Sequence, residues 1–211
     1  MGIRANNNIK FRMYTGRHDN NLIDINDVVK LNNLELNETD GNKGFMLYPY
    51  SSDTLSLDVL KRFLGRDGKL ITQRDKDGEL QGFILYDVLN NTTKQQNEEL
   101  AELSNYIDVN KDKAIFIQKV LVAEKYRRQG MAEKLLNMAI QENPDAKYVV
   151  SSIIVEPENN VASIKFHEKN GFEHLYRIGI DPPIYPDDIP YLTKKLPPLQ
   201  KVVETVMLKK L

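Results

Sequence analysis

The chain has 211 residues, of which 28% are charged, and its charges nearly cancel to a formal net charge of −1. A nucleic-acid-binding protein usually carries a basic excess or stripe, so this balance argues against a nucleic-acid partner. The absence of cysteine excludes disulfides, thiolate metal sites and cysteine nucleophiles.

The length suits a single domain over residues 1–211. Residues 1–8 lack the apolar core of a signal peptide. No apolar run approaches the roughly 18 residues that suggest a membrane helix. The sequence therefore predicts a soluble, cytoplasmic protein with no membrane partner.

Apolar residues recur along the chain with the period of strands or of helices. The first half predicts a strand at 9–14, helices at 22–36 and 55–64, and strands at 69–74, 80–88 and 115–122. The second half predicts a helix at 131–142, a strand at 148–155, a helix ending at 170, and strands at 172–180 and 202–211. This order indicates a mixed α/β fold with a central β-α-β unit.

Two segments read as insertions into this domain. Residues 90–113 are polar, with a short helix predicted near 98–106. The Pro-rich residues 181–201 cannot be regular structure throughout, and loops of that length are often functional or disordered.

The segment Tyr126-Arg127-Arg128-Gln129-Gly130-Met131-Ala132 connects the strand at 115–122 to the helix at 131–142. Backbone N–H groups at a helix start have no intrahelical partner, and the helix dipole adds positive charge, so a phosphate is favoured there. Arg127 and Arg128 add full charges. The alternative is an ordinary basic surface turn, which one R-x-x-G-x-A pattern does not exclude. Neither a P-loop nor an early G-x-G-x-x-G pattern is present.

Two sequence blocks within residues 114–172 carry a family resemblance. The first joins the apolar strand end Val120-Leu121-Val122 to R-x-x-G-x-A and the paired aliphatics Leu135-Leu136. The second, residues 160–172, matches N-x-x-[AS]-x-x-[FL]-[YH]-x-x-x-G-F. In this order and separation they resemble the GNAT superfamily of N-acetyltransferases. The resemblance implies a mixed, mostly antiparallel sheet of about seven strands, helices on both faces and a β-α-β core that binds acyl-CoA.

The resemblance also implies that acetyl-CoA is the cosubstrate. Family members splay the fourth and fifth strands, and the pantetheine arm pairs with the exposed edge. The disturbed apolar phase at Gln118-Lys119 is compatible with a bulge there. One N–H of the strand end would polarise the thioester carbonyl. The expected acetyl-CoA contacts are Val120, Leu121, Val122, Arg127, Arg128, Gln129, Gly130, Met131, Ala132, Glu133 and Asn160.

Two residues are candidates for proton transfer. His167 follows Asn160 by seven residues, where many family members carry a tyrosine assigned as general acid; alternatively, His167 packs within its helix and Asn160 is an ordinary N-cap. Relatives often use a glutamate on the fourth or fifth strand as base. Glu156 lies one residue beyond the expected position, so the alternatives are a surface glutamate and deprotonation through water. No metal-binding pattern is present, and no metal is expected.

The acceptor site is expected between the loop joining the first two helices and the last hairpin. Its candidate residues are Phe45, Tyr48, Tyr50, Tyr185, Asp187, Asp188 and Tyr191, although residues 181–201 equally fit a Pro-rich surface loop. Aromatic and acidic side chains suit a cationic amine. The predicted function is acetyl transfer from acetyl-CoA to a primary amine of a small molecule or peptide. The alternative is an acyl-CoA-binding regulatory module or pseudoenzyme without turnover. The oligomeric state stays open, with a homodimer among the alternatives.

Overall fold

The structure, a computed structural model, describes residues 10–15, 22–37, 57–66, 68–89, 98–156, 159–180 and 202–211. The predicted acceptor-site aromatics and aspartates, at 45–50 and 185–191, lie outside these residues.

Thirteen elements follow in chain order within the described residues. The N-terminal ones are β1 (Lys10–Thr15), α1 (Leu22–Asn37), α2 (Leu57–Gly65), β2 (Lys69–Arg74), β3 (Leu80–Val88) and the 3-10 helix η1 (Glu98–Asn105). The C-terminal ones are β4 (Ala114–Val122), the 3-10 turn η2 (Glu124–Tyr126), α3 (Met131–Gln141), β5 (Tyr148–Glu156), α4 (Val161–Lys169), β6 (Glu173–Ile180) and β7 (Val202–Lys210). The predicted elements are therefore present, with ends that differ by a few residues.

All seven strands belong to one sheet with the order β1-β2-β3-β4-β5-β7-β6. β4 and β5 are parallel and are connected through α3, whereas every other neighbouring pair is antiparallel. A parallel pair requires such a crossover, while hairpins suffice for antiparallel neighbours. The predicted mostly antiparallel sheet of about seven strands is confirmed.

Helices cover both faces of the sheet, as predicted. Leu135 and Leu136 of α3 pack on one face against Ile84, Ile115 and Val149, and this side is called the α3 face. The opposite side, the α1 face, carries two clusters. α1 and α2 cover the first, and η1 covers the second. Sheet residues of the first cluster include Phe83, Leu85 and Leu121, and those of the second include Phe116, Val150 and Val206. Among the described helices, none is long and apolar enough to cross a membrane.

Candidate active site

β4 and β5 separate part-way along their length. They pair from Ala114 opposite Tyr148 to Ile117 opposite Ser151, where their pairing ends. Both strands continue, to Val122 and Glu156 respectively. The last five residues of β4 therefore present an open backbone edge towards β5, as the resemblance implied.

A bulge in β4 lies at the start of this opening. Leu85 of β3 is opposite Lys119, but the next residue of β3, Tyr86, is opposite Ile117. Gln118 is therefore the extra residue, and the predicted bulge is confirmed. Beyond it β4 regains its register with β3 as far as Val122.

Gly82 on β3 fixes the orientation of the end of β4. A Cβ at Gly82 would lie 2.6 Å from the carbonyl oxygen of Leu121, so this carbonyl faces β3. Backbone polar groups point alternately to the two sides of a strand, so those of Val120 and Val122 face the open edge. The Val122 carbonyl accepts a hydrogen bond from Nε of Arg127 at 3.0 Å. The backbone N–H and the carbonyl of Val120 therefore both face the open edge.

The turn after β4 leads into an uncapped helix start. Arg128 and Gly130 have left-handed φ angles of 62° and 76°. Gly130 is the N-cap of α3, and its carbonyl accepts from the N–H of Lys134 at 3.0 Å. The N–H groups of Met131, Ala132 and Glu133 have no intrahelical acceptor, and the N-cap makes no side-chain hydrogen bond.

The space beside this helix start is open. A Cβ on Gly130 would meet no described atom within 4 Å. Arg128 is exposed beside it, and the carboxylate of Glu133 lies 3.3 Å from Lys169 of α4. The outward N–H groups, the helix dipole and the nearby arginine charge suit a phosphate group.

The β2–β3 hairpin supports this turn. The hydroxyl of Tyr126 donates to Oδ2 of Asp75 at 2.6 Å and lies 3.3 Å from Glu79, which also pairs with Lys125. The bond to Asp75 raises the pKa of Tyr126 and lowers the pKa of Asp75. Gln129 donates to the carbonyl of Lys125 at 3.1 Å. These contacts hold the turn before α3 against the hairpin.

The second sequence block forms α4 together with its two caps. Oδ1 of Asn160 accepts from the N–H of Ser163 at 3.0 Å, which makes Asn160 the N-cap. At the other end Gly171 has a φ of 81°, and the N–H of Phe172 donates to the carbonyl of His167 at 3.0 Å. This is a Schellman motif. The caps explain the asparagine and glycine of the pattern; a further contact of Asn160 with pantetheine stays a prediction.

His167 is buried, with 3% of its surface exposed. Nδ1 donates to the carbonyl of Ser163 at 2.7 Å, and the ring packs edge-on against Phe166 and Phe172 at centroid distances of 5.0 and 4.7 Å. Burial lowers the pKa of His167 from 6.5 to about 4. The ring is therefore neutral at pH 7, and buried Nε2 has no hydrogen-bond partner among the described residues. The general-acid role of His167 stays a prediction.

Glu156 is exposed at the end of β5, just past a register shift against β7. Its role as base also stays a prediction. The structure instead brings Asp87 of β3 next to Gln118, where Nε2 of Gln118 donates to Oδ2 at 2.8 Å. Asp87 was not singled out from the sequence. Asp87 is the only charged residue in the segment from Leu80 to Leu89, and this is the signal that could have identified it.

Residues 35–172 match the family model described as the acetyltransferase (GNAT) family. The chain belongs to this family. It is thus an acyl-CoA-dependent acyltransferase of the GNAT type. Among the described residues, no group of three or more His, Asp or Glu side chains could hold a metal ion.

Solved structures of other proteins share the fold at low sequence identity. NAA60 of Arabidopsis thaliana in complex with acetyl-CoA is 16% identical, with a TM-score of 0.58 over 96% of this chain and 98% of that chain. The protein smu.2055 from Streptococcus mutans UA159 is 18% identical, with a TM-score of 0.60 over 95% and 98%. A ribosomal-protein-alanine N-acetyltransferase from Brucella melitensis is 15% identical, with a TM-score of 0.58 over 96% and 99%. No curated protein matches the chain by sequence.

Proposed function

We propose that this GNAT protein transfers the acetyl group of acetyl-CoA directly to a primary amine of a small molecule or peptide. One observation carries the proposal. The open edge of β4 runs into the uncapped start of α3 through a turn of eight residues, 123–130. A molecule with a diphosphate at one end and a hydrogen-bonding arm at the other fits this arrangement.

In this proposal, the start of α3 binds the pyrophosphate. The N–H groups of residues 128–133 would donate to its oxygens, and Gly130 keeps the approach free of side chains. Arg128 would add its charge from the exposed turn. Arg127 contributes indirectly, because its side chain bonds to the Val122 carbonyl and so connects the turn to β4.

The open edge of β4 would hold the pantetheine arm and the thioester. Val120 and Val122 direct their N–H groups to this edge, and one of them would donate to the oxygen of the thioester carbonyl. Such a donor stabilises the negative charge that develops there during attack by the amine. Because the chain has no cysteine, an acyl-cysteine intermediate cannot form, and we propose direct transfer in a ternary complex.

His167 is the proposed proton donor to the CoA thiolate, through Nε2. Since Nδ1 bonds to the Ser163 carbonyl, Nε2 is the ring atom left to carry the transferred proton. At neutral pH this atom is an acceptor because the pKa of His167 is lowered to about 4. The role therefore requires that Nε2 first take a proton, which the amine nitrogen can supply once it has bonded to the thioester carbon, and then pass this proton to the sulfur. A thiolate, with a thiol pKa near 8.5, would readily take that proton.

Calorimetry with acetyl-CoA tests the binding part of the proposal. We expect binding to the wild type and its loss in Gly130→Trp, because the indole would fill the space at the helix start. Gly65→Trp is the matched control, since Gly65 is exposed and a Cβ there meets no described atom within 4 Å. Unchanged acetyl-CoA affinity in Gly130→Trp would contradict pyrophosphate binding at the start of α3.

Release of free CoA thiol tests turnover. We expect release from acetyl-CoA with at least one amine from a panel of polyamines, amino acids, aminoglycosides and peptides with free N-termini. Tight acetyl-CoA binding without thiol release on any amine would instead identify the alternative, a binding module without turnover.

A further inference from the structure

A row of four polar side chains crosses the sheet at the opening between β4 and β5. On one side Asp87 of β3 accepts from Gln118 of β4 at 2.8 Å. On the other side the hydroxyl of Ser152 on β5 donates to the carboxylate of Glu204 on β7. The sheet order β3-β4-β5-β7 places the opening between these two pairs. A carboxylate therefore lies on each side of the opening, one strand away from it.

Both pairs lie on the α1 face. Asp87 is opposite Phe116 and Ser152 is opposite Val206, and directly paired residues on antiparallel strands share a face. Phe116 and Val206 both belong to the cluster covered by η1. The start of α3 packs on the other face, where Met131 joins the core. An amine acceptor on the α1 face would therefore approach the opening from one side of the sheet, whereas α3 lies on the other side.

Asp87 lies between two apolar clusters. Leu85 belongs to the cluster under α1 and α2, and Leu89 to the cluster under η1. Asp87 is half-buried between them, and burial raises the pKa of its carboxyl, while the bond from Gln118 opposes this rise. No cationic side chain among the described residues pairs with it. Among the described residues, other charged groups on this face include Lys119, opposite Leu85, Glu204 on β7, and Arg74 on β2, which pairs with Asp27 of α1.

The acceptor amine presents a matching chemical requirement. An alkylammonium of pKa near 10.4 is less than about 0.1% neutral at pH 7, so it must lose a proton before it can attack. A carboxylate of ordinary pKa near 3.9 is a weak base for this step. A raised pKa makes the carboxylate a stronger base, because it reduces the difference between its pKa and that of the ammonium group. Partial burial without a cationic partner also favours binding of a positively charged ligand.

We propose that Asp87 binds the ammonium group of the acceptor at the opening between β4 and β5 and takes its proton. The nitrogen lone pair then forms the C–N bond to the thioester carbon, and the C–S bond breaks. The second nitrogen proton ends on the CoA sulfur, and Asp87 returns its proton to solvent. The acceptor is therefore a cationic amine. This inference rests on the proposed acetyl transfer.

The test compares Asp87→Asn with the wild type on two kinds of amine. Spermidine, benzylamine and a tetrapeptide with a free N-terminus are cations at pH 7, whereas aniline is neutral. Asparagine can still accept the bond from Gln118, so acetyl-CoA affinity should not change. We expect kcat/KM to fall about 100-fold for the cationic amine that the wild type acetylates best. The loss should diminish as the pH approaches the pKa of that amine, since free amine needs no base.

Several outcomes would overturn the inference. These are unchanged kcat/KM of Asp87→Asn on cationic amines, an equal loss at every pH, or wild-type acetylation of aniline with none of the cations. Asp145→Asn serves as the matched variant and should retain activity, because Asp145 is an exposed carboxylate in the turn before β5 with no proposed role. A loss in Glu156→Gln instead of in Asp87→Asn would assign the base to β5. Thiol release with some amine, but without dependence on Asp87, refutes this inference and leaves the proposed function standing. Acetyl-CoA binding without any thiol release contradicts both.

Discussion

A Cβ on Gly82 would lie 2.6 Å from the carbonyl oxygen of Leu121, so β3 can approach β4 here because Gly82 lacks a side chain. Gly82→Ala should push away the part of β4 whose open edge is proposed to hold the thioester. We expect a loss of about 1–3 kcal/mol in the free energy of unfolding, as for other overpacked interiors, together with weaker acetyl-CoA binding. Urea unfolding and calorimetry measure the two effects.

Gly65→Ala is the control for this substitution. A Cβ on Gly65 meets no described atom within 4 Å, so added volume costs nothing there. We expect unchanged or slightly raised stability and unchanged acetyl-CoA affinity. Equal behaviour of the two variants would show that the contact between Gly82 and Leu121 does not constrain β4.

The left-handed conformation of Gly130 leads to a second prediction. Gly130→Ala should cost about 1–2 kcal/mol of stability, because an L-residue with a side chain is strained at a φ of 76°. Its methyl group would also enter the space proposed for the pyrophosphate, so acetyl-CoA affinity should fall about ten-fold or more. Gly78→Ala separates these effects, since Gly78 has a φ of 88° in the hairpin turn and equally open surroundings. It should lose stability but retain affinity.

A third prediction concerns the support of the turn before α3. Tyr126→Phe removes the hydroxyl that bonds to Asp75 at 2.6 Å. We expect acetyl-CoA affinity to fall about five-fold, the equivalent of one ordinary hydrogen bond, because the turn is held less firmly. Tyr106→Phe is the matched control; its hydroxyl bonds to the Leu175 carbonyl at 3.3 Å, away from the turn. A loss of affinity in both variants would argue against the supporting role of Tyr126.

His167 predicts how stability depends on pH. Its pKa is about 4 in the folded state, below the ordinary value of 6.5, so the unfolded state binds more protons between these values. Its contribution to stability is therefore complete above pH 6.5 and is lost as the pH falls towards 4. Between pH 7 and pH 5 the loss should amount to about 2 kcal/mol.

Urea unfolding of the wild type and His167→Phe at several pH values measures this contribution. The difference between the two proteins isolates His167, because the other titrating groups are shared. We expect the variant to lose less stability than the wild type on acidification. The same dependence on pH in both proteins would mean that His167 is not a buried neutral group. If Nε2 also donates a proton to the thiolate, His167→Phe should lower kcat while acetyl-CoA affinity persists.

Local patterns predicted most of the fold. The hairpin of β2 and β3 follows from two apolar runs around a turn with Gly78, and α4 follows from Asn160 and Gly171 at its ends. Even the bulge at Gln118 was foreseeable, because it interrupts the apolar phase of a single strand. Each of these features depends on residues near one another in sequence, so the sequence alone contains the signal.

The candidate site was less predictable because it depends on contacts between distant segments. Asp87 and Gln118 are 31 residues apart, and Tyr126 and Asp75 are 51 apart. Which side chains meet across strands depends on the sheet order and register, and neither follows from one strand by itself. His167 illustrates a different limit. Its position in the pattern suggested a proton donor, but only the surroundings of the ring reveal its burial and lowered pKa.

The four residue pairs that connect β4 to β5 also divide the sheet into two parts. The strands on one side all precede residue 123, and those on the other all follow residue 147, so each part folds from its own stretch of chain. Acetyl-CoA bound in the opening would add hydrogen bonds along the edge of β4 and connect the two parts of the sheet more firmly. Amide hydrogen exchange at Val120 should then slow in the complex. The cosubstrate would stabilise the sheet, because it supplies hydrogen bonds where β4 and β5 do not pair, in addition to being a reactant.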